Sequence, residues 1–358
     1  MYTRRSQILI LFMVVVLTAC APAQAPATPT LPPTATAVPS PTLTHTPLPT
    51  ATGTSTPTIT PTITPSPTPT VTPIPEMKGV IYFSSDREGT FDIFKLDLAD
   101  SLETRLTKEP YMNEFFPHLS PDGNWLAYWS VNLDGTTGSA IKLWNLTDNT
   151  LGQINRALGW SAWSPDSQKI AVVEPLNVHV MTQNSTAGKP VVDLNIYIYQ
   201  IDNLKEKGIL TEDFLSLEYY PAWSPDGNTI AFTKVQEHQA KIHLISSYGI
   251  DQGLLYRGVG YSPAWSPDGT MIAFISGSKI ESQLYVINAD GSGLRRLTNG
   301  PGERDNPTWS PDGGWIAFWS DQDGDSEIYA ILQDGSGLIQ LTDNDFKDEN
   351  PFWSAPKP

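Results

Sequence analysis

The strongest constraint on this chain is a unit that recurs about every 44 residues. Six segments share one pattern: an apolar residue and a serine lead into Pro-Asp-Gly, and an Ile-Ala-aromatic run follows. They read Leu119-Ser120-Pro121-Asp122-Gly123, Trp163-Ser164-Pro165-Asp166-Ser167, Trp223-Ser224-Pro225-Asp226-Gly227, Trp265-Ser266-Pro267-Asp268-Gly269, Trp309-Ser310-Pro311-Asp312-Gly313 and a truncated Trp353-Ser354. The serines stand 44, 60, 42, 44 and 44 residues apart, and an insertion of roughly 16 residues around Asn177 to Val192 accounts for the 60. A fixed period of this length means one supersecondary unit whose copies bury each other's faces.

Each part of the unit has a physical meaning. Proline pre-sets φ for a tight turn, Asp can bond back to the backbone, and Gly accepts positive φ. The runs that follow, such as Trp125-Leu126-Ala127-Tyr128, Ile230-Ala231-Phe232 and Trp315-Ile316-Ala317-Phe318, suit strands buried on both faces. A polar turn leads to a third strand (Ile93-Phe94, Ile196-Tyr197, Leu284-Tyr285-Val286, Ile328-Tyr329). A second turn, Asp290-Gly291 or Asp334-Gly335, leads to a short outer strand ending in Leu-Thr. Four short antiparallel strands per unit make a propeller blade. The region opens at Val80-Ile81-Tyr82-Phe83, which matches a second strand, and closes at Asn350-Pro351-Phe352-Trp353-Ser354, which matches a first strand. The expected fold is all-β: a six-bladed β-propeller of four-stranded antiparallel blades over residues 77–358. Its C-terminal strand should complete the first blade and remove two free edges. A seventh blade would have to lie, without a visible signature, in the insertion.

The N-terminal part has a different composition. Residues 21–76 carry hardly a charge and no Trp, Phe or Tyr, and all 11 Trp lie beyond them. Repeated Pro-Thr pairs favour polyproline II and offer too little apolar area to offset chain entropy. Residues 20–76 are therefore expected to be a disordered stalk, and their threonines also allow O-glycosylation. Ahead of them, Arg4 and Arg5 precede an apolar run from Ile8 to Leu17. That run is shorter than the roughly 20 residues a bilayer-spanning helix needs, and it fits the core of a signal peptide over residues 1–19. It ends in Leu17-Thr18-Ala19-Cys20, which holds the only cysteine. This resembles the bacterial lipobox. The resemblance implies cleavage before Cys20, a lipid on its thiol, and display on the extracytoplasmic side of a membrane in the cell envelope. Two or more acyl chains would make that attachment lasting. An ordinary secretory signal cut near Ala21-Pro22-Ala23 is the alternative. A single cysteine also leaves no intramolecular disulfide and no Cys-based metal cage.

The pattern Trp-Ser-Pro-Asp-Gly-x-x-Ile-Ala-Phe, with Ile-Tyr, Asp-Gly and Leu-Thr behind it, resembles the TolB-like propeller repeat across nearly all of residues 77–355. The resemblance implies the fold and leaves the function open. Related propellers bind proteins in TolB, gate prolyl-oligopeptidase-type peptidases and tricorn, and act in a few lyases. The chain differs from TolB in its anchor and stalk, and in having no separate N-terminal α/β domain of the TolB kind.

Charge and motif content narrow the function classes. Formal net charge is −16, and beyond residue 76 there are 20 Lys+Arg against 37 Asp+Glu. Such a surface repels phosphate backbones, so nucleic acid is not an expected partner. No Gly-x-Ser-x-Gly elbow occurs. Among His45, His118, His179, His238 and His243, only the last two are near each other, across a predicted turn and strand. The run Asp321-Gln322-Asp323-Gly324-Asp325-Ser326-Glu327 suggests a calcium loop, but it lacks the full ligand run and falls where each blade has a hairpin. No catalytic residue, metal or cofactor is assigned.

The candidates for ligand binding lie ahead of each first strand: Asn113, Glu114, Glu218, Tyr219, Tyr220, Tyr261, Arg304, Asp305, Asn306, Asp348, Glu349 and Asn350. In a propeller these connections end beside the central channel. They would gather acids, amides and tyrosines at one mouth, suited to cationic or hydroxyl-rich groups. The plainer alternative is that Asn and Asp cap turns before Pro. The chain thus reads as a monomeric, membrane-anchored propeller that binds a protein, peptide or glycan. A hydrolase or lyase acting at the channel mouth and a structural lipoprotein organising the envelope are the alternatives.

Overall fold

The computed structural model describes residues 76–356 apart from 134–137, 181–189, 213–215 and 279. The signal sequence, Cys20, His45 and the Pro/Thr-rich stretch lie outside the described residues. Among the described residues there are 24 strands and no helix.

The strands group by sequence. Val80–Ser85, Asp92–Asp97 and Leu102–Arg105 form a sheet whose flanking strand is the C-terminal Asp348–Ser354. Met112–Leu119, Trp125–Asn132, Ala140–Asn145 and Leu151–Asn155 form the next. Further along are four-stranded sheets of Tyr261–Trp265, Met271–Ser278, Glu281–Asn288 and Arg295–Arg296, and of Arg304–Trp309, Trp315–Ser320, Glu327–Leu332 and Ile339–Gln340. Between these, one eight-stranded sheet contains two runs. The first is Leu158–Trp163, Lys169–Val180, Pro190–Gln200 and Lys207–Ile209; the second is Leu217–Trp223, Thr229–Gln236, Gln239–Ser246 and Asp251–Leu254. The runs meet in a single parallel pair, Leu194 opposite Leu217. The C-terminal strand lies antiparallel to the N-terminal one, with Trp353 opposite Ile81 and Asp348 opposite Ser85. The insertion lengthens an existing hairpin: its strands are 12 and 11 residues long and stay paired out to Val180 opposite Pro190.

The core is divided among six apolar clusters, each shared by units that follow one another. Ile141 and Leu143 pack with Ile170 and Tyr197, then Val173 and Ile196 with Ile230 and Phe232. Ile242 packs with Ile272 and Phe274, and Ile275 with Phe318 and Ile331. The series returns to its start: Ile81 and Phe83 pack with Trp315 and Trp319, while Val80 and Tyr82 meet Leu126 and Tyr128. Each such side chain contributes about 1.5–3 kcal/mol when fully buried, so both faces of every sheet are needed.

The repeated residues are the joints of this arrangement. In all five complete turns the serine hydroxyl donates to the aspartate two residues on, at 2.5–2.6 Å. The same hydroxyl accepts the N–H that opens the next strand (Trp125, Lys169, Thr229, Met271, Trp315) at 2.9–3.0 Å. The hydrogen bond from Ser224 holds Asp226 below the usual carboxylate range. The tryptophan ahead of the serine reaches the previous unit. Trp163, Trp265 and Trp309 donate their indole N–H to the carbonyls of His118, Ala222 and Ala264 at 3.0–3.1 Å. The Leu-Thr ending is explained as well. Thr107, Thr211, Thr298 and Thr342 each accept the N–H of a third strand, from Ile93, Ile196, Leu284 and Ile328, at 2.9 Å.

Replacing Ser224 by Ala takes one of the three donors from Asp226 and leaves the half-buried Thr229 N–H without its acceptor, so a loss of about 1–3 kcal/mol is expected. Trp309→Phe removes one inter-unit hydrogen bond and should cost about 1 kcal/mol. Urea titration checks both: the midpoint should fall in that order while the slope stays constant.

Candidate functional site

The leading strand of each unit approaches the next, and the sixth returns to the first: Met112–Leu119, Leu158–Trp163, Leu217–Trp223, Tyr261–Trp265, Arg304–Trp309 and Asp348–Ser354. Pairing slips at the same place in all six. In five of them the slip falls on a residue–proline step, and the residue before proline has φ near +50°. These are Phe116 (53°), Tyr220 (52°), Ser262 (51°), Asn306 (51°) and Asn350 (57°). The sixth strand makes its slip at Gly159-Trp160. Proline has no N–H for the ladder, so a bulge accommodates it, and the bulge re-aims the neighbouring side chain. A left-handed non-glycine residue costs of order 1–3 kcal/mol, and a following proline disfavours it further. The residues read from sequence as connections ahead of the first strands therefore lie within those strands. Asn306 and Asn350 sit in bulges.

Strand alternation then divides the candidates. Glu114, Glu218, Arg304 and Asp348 occupy one position, two residues before the left-handed one, and are at most 1% exposed. The Arg304 guanidinium donates to the carbonyls of Ser282 (2.9 Å), Gly302 (3.2 Å) and Asn299 (3.3 Å) and to Gln322 Oε1 (2.9 Å). Asp348 accepts two hydrogen bonds from Arg87, at 2.8 and 3.1 Å, and one from Asn344 at 2.9 Å. Arg87 also pairs with Glu103 and lies 4.6 Å from the Phe94 ring centre. Glu218 accepts from the Ser216 hydroxyl at 3.3 Å, and Asn113 accepts the Phe91 N–H at 3.1 Å. Burial pushes the Glu114 carboxyl up to about 7. Tyr261 is half-buried and packs on the cluster around Ile275. Most of this group braces strands against one another.

The other candidates come together. Tyr220 reaches past the Tyr261–Trp265 strand and donates its hydroxyl to Asp305 Oδ2 at 3.1 Å. Ser262 and the Asn306 N–H (2.6 Å) donate to Asp305 Oδ1. Asp305 is 5% exposed, and burial pushes its carboxyl up to about 6. Burial, then the charge of Asp305, raises the Tyr220 hydroxyl. Glu349 is the counterpart of Asp305 one strand along. Burial raises its carboxyl, Lys347 opposes that, and the charges of Asp86 and Asp305 add to it. Asn306 Oδ1 accepts from the Trp319 indole at 3.2 Å and from Asn350 Nδ2 at 3.1 Å.

An aromatic stretch continues from this polar one: Trp160 lies 5.0 Å from both Tyr219 and Tyr220 and 5.8 Å from Phe116. The sequence reading missed Phe116, Trp160 and Ser262. Their signal was positional, the slot just before proline or its equivalent, and it was masked because the sequence reading looked there for acids, amides and tyrosines.

The remaining motifs resolve as packing and turns. His118 Nδ1–H donates to the Ser161 carbonyl at 2.5 Å, and its ring meets Phe352 edge-on at 4.4 Å; burial pulls its pKa down to about 4. The side chain of His179 lies outside the described residues. Asp321 to Asp325 turn between two paired strands, and Asp321 accepts the Glu303 N–H at 2.5 Å. Among the described residues, no three His, Cys, Asp or Glu gather as a metal cage.

Three buried carboxyls give this protein a pH signature. Glu114 and Glu327 titrate at about 7 and Asp305 at about 6, above the roughly 4 of an unfolded carboxylate. Their stabilisation is complete below that unfolded value and is lost as pH rises through 6 to 7. The melting midpoint should therefore fall between about pH 4.5 and pH 8. The fall should flatten in Glu114→Gln, Asp305→Asn and Glu327→Gln, as thermal melts across that range will read.

Comparison with known proteins agrees with this architecture. The TolB beta propeller domain family (PD40) matches residues 178–357. The uncharacterized protein Atu1656 of Agrobacterium fabrum is 34% identical over 169 residues, 41% of this chain and 48% of that protein. The chain thus spans about half the length of that curated relative. TolB from Acinetobacter baumannii superposes with a TM-score of 0.64 at 18% identity, covering 79% of this chain and 68% of that one. An oligogalacturonate lyase in complex with manganese gives 0.51 at 20% identity, covering 75% and 74%. At these identities the structural likeness concerns the fold alone. The repeat and the family match point the same way, and the chain belongs to the TolB beta propeller domain family.

Proposed function

We propose that this chain is a six-bladed binding propeller that takes a protein, peptide or glycan at the mouth ringed by its six leading strands. The count of six is supported by six inter-unit clusters and six leading strands, with the lone Leu194–Leu217 pair taken as a contact between two blades. The observation that carries the function is the set of five left-handed, non-glycine residues before proline. Such strain persists where it serves a site, and here it recurs around one ring. The side chains at that ring are aromatic rings beside hydrogen-bond acceptors, a composition that binding surfaces favour.

The anchor is part of the proposal. A lipid on Cys20 and a stalk of about 55 residues, reaching on the order of 170 Å if extended as polyproline II, would hold the propeller away from its membrane. The raised Asp305 carboxyl favours one rival, a lyase or hydrolase using it as a general acid.

Two experiments test these readings. Tagged full-length chain, crosslinked in cells and recovered from solubilised membranes, should capture a partner. A folded Trp160→Ala, Tyr220→Phe, Asp305→Asn variant should lose it, and unchanged capture would reject the mouth as the site. Glu218 is left out of this set because its substitution would test folding. Polysaccharide turnover that Asp305→Asn alone abolishes would replace binding by catalysis. Separately, Cys20→Ser should move the chain from the membrane to the soluble fraction and end incorporation of labelled fatty acid. Persistent labelling would overturn the lipobox reading.

A further inference from the structure

The polar stretch of the mouth has an unbalanced inventory. Asp305 is 5% exposed and Asn350 is 7% exposed, and they lie on neighbouring leading strands joined by the Asn350–Asn306 hydrogen bond. Glu349, next to Asn350, is close enough for the charge of Asp305 to act on its carboxyl. Among the six leading strands the one Lys or Arg is Arg304, and its guanidinium is engaged by three carbonyls and Gln322. Lys347 is exposed.

The amide orientations follow from donor chemistry. An indole N–H can only donate, so the Trp319 contact requires Asn306 to present its oxygen. Asn350 must then offer its NH2 to that oxygen, which leaves Asn350 Oδ1 as the free end. That oxygen is buried and has no partner among the described residues. A buried acceptor without a donor has lost its water and gained nothing in exchange, so a donor brought by a ligand is favoured there. Two carboxylates and one amide oxygen, all acceptors, therefore stand together, and the cation whose charge reaches them, Lys347, is itself exposed and acts on Glu349. Tyr220, bonded to Asp305, adjoins them, and Trp160 lies 5.0 Å beyond it.

We infer that the acceptor face shared by the Arg304–Trp309 and Asp348–Ser354 strands is a subsite for one organic cation, the ammonium or guanidinium of a lysine or arginine side chain on a bound peptide. Such a group supplies several donors and no acceptor, matching Asp305, Glu349 and Asn350 Oδ1. Its face or methylene stem can lie on the aromatic rings. The inference rests on the mouth being the binding site.

Calorimetric titration of detergent-solubilised full-length chain with tri-arginine, spermidine and calcium chloride tests it. Tri-arginine should bind, and Asp305→Asn/Glu349→Gln should weaken it at least about tenfold, as expected for losing charge-assisted hydrogen bonds. Asn350→Leu should also weaken it. Asp343→Asn/Asp345→Asn, which removes the same charge from exposed loop positions, should leave it unchanged. Glu349→Gln alone, at a position less enclosed than Asp305, carries the test if the double variant fails to fold. Equal weakening by both charge pairs, or no tri-arginine binding, overturns the subsite. Tighter binding of spermidine or calcium than of the peptide overturns the side-chain source. Membrane-partner capture that Trp160→Ala abolishes but Asp305→Asn/Glu349→Gln leaves intact would sink the cation and keep the mouth. Capture that neither alters would sink both.

Discussion

Everything in this fold depends on the pairing of the C-terminal strand with the N-terminal one. A sheet with two apolar faces is stable only when both are covered, and each sheet here is covered by its neighbours in sequence. The first and last units have a neighbour on each side only because Asp348–Ser354 joins Val80–Ser85. Several contacts hold that seam. Trp353 is buried beside Ile81 and Trp315, and its indole donates to the Lys78 carbonyl at 2.8 Å. Arg87 binds the buried carboxylate of Asp348 at 2.8 Å. Gly79, at φ 113°, lies where an added Cβ would come within 2.2 Å of the Ser354 carbonyl oxygen, so no side chain is tolerated at this junction.

Within each unit, sameness and difference mark two kinds of work. The serine and aspartate of the five complete turns make the same hydrogen bonds in every copy, as do the four Leu-Thr threonines, while three of the tryptophans tie one unit to the next. The pair at the slip, which precedes proline in five copies and Ser161 in the sixth, differs in every copy: Phe115-Phe116, Gly159-Trp160, Tyr219-Tyr220, Tyr261-Ser262, Asp305-Asn306 and Glu349-Asn350. A shared bulge presents that varied pair, which is how a repetitive scaffold carries a non-repetitive site.

Much of the fold was legible because its signals are local. Turn chemistry, strand length and the missing first strand at Val80 are properties of a few adjacent residues. The candidate site was legible only in part. Sequence pointed to the segments that form the leading strands, since these carry the residues that differ between copies. It did not separate Arg304 and Asp348, which are engaged in bracing strands, from Asp305 and Glu349 beside them. With a two-residue period and a bulge at each proline, a shift of one position decides whether a side chain braces or lines. Uncharged Trp160 and Ser262 drew no attention in a search for acids, amides and tyrosines.

The chain by itself thus determined the unit, the strand left over for closure, the acidic character, and the expectations of six copies and of a lipid at Cys20. Each follows from composition or from short-range turn and strand preferences. Only the tertiary structure decided that Tyr220 meets Asp305 across 85 residues, that Asn350 is left with a free buried oxygen, and that Glu114 and Asp305 titrate near neutrality. Those facts depend on which strands lie side by side and how far water is excluded between them. Neither is written in any local stretch of residues.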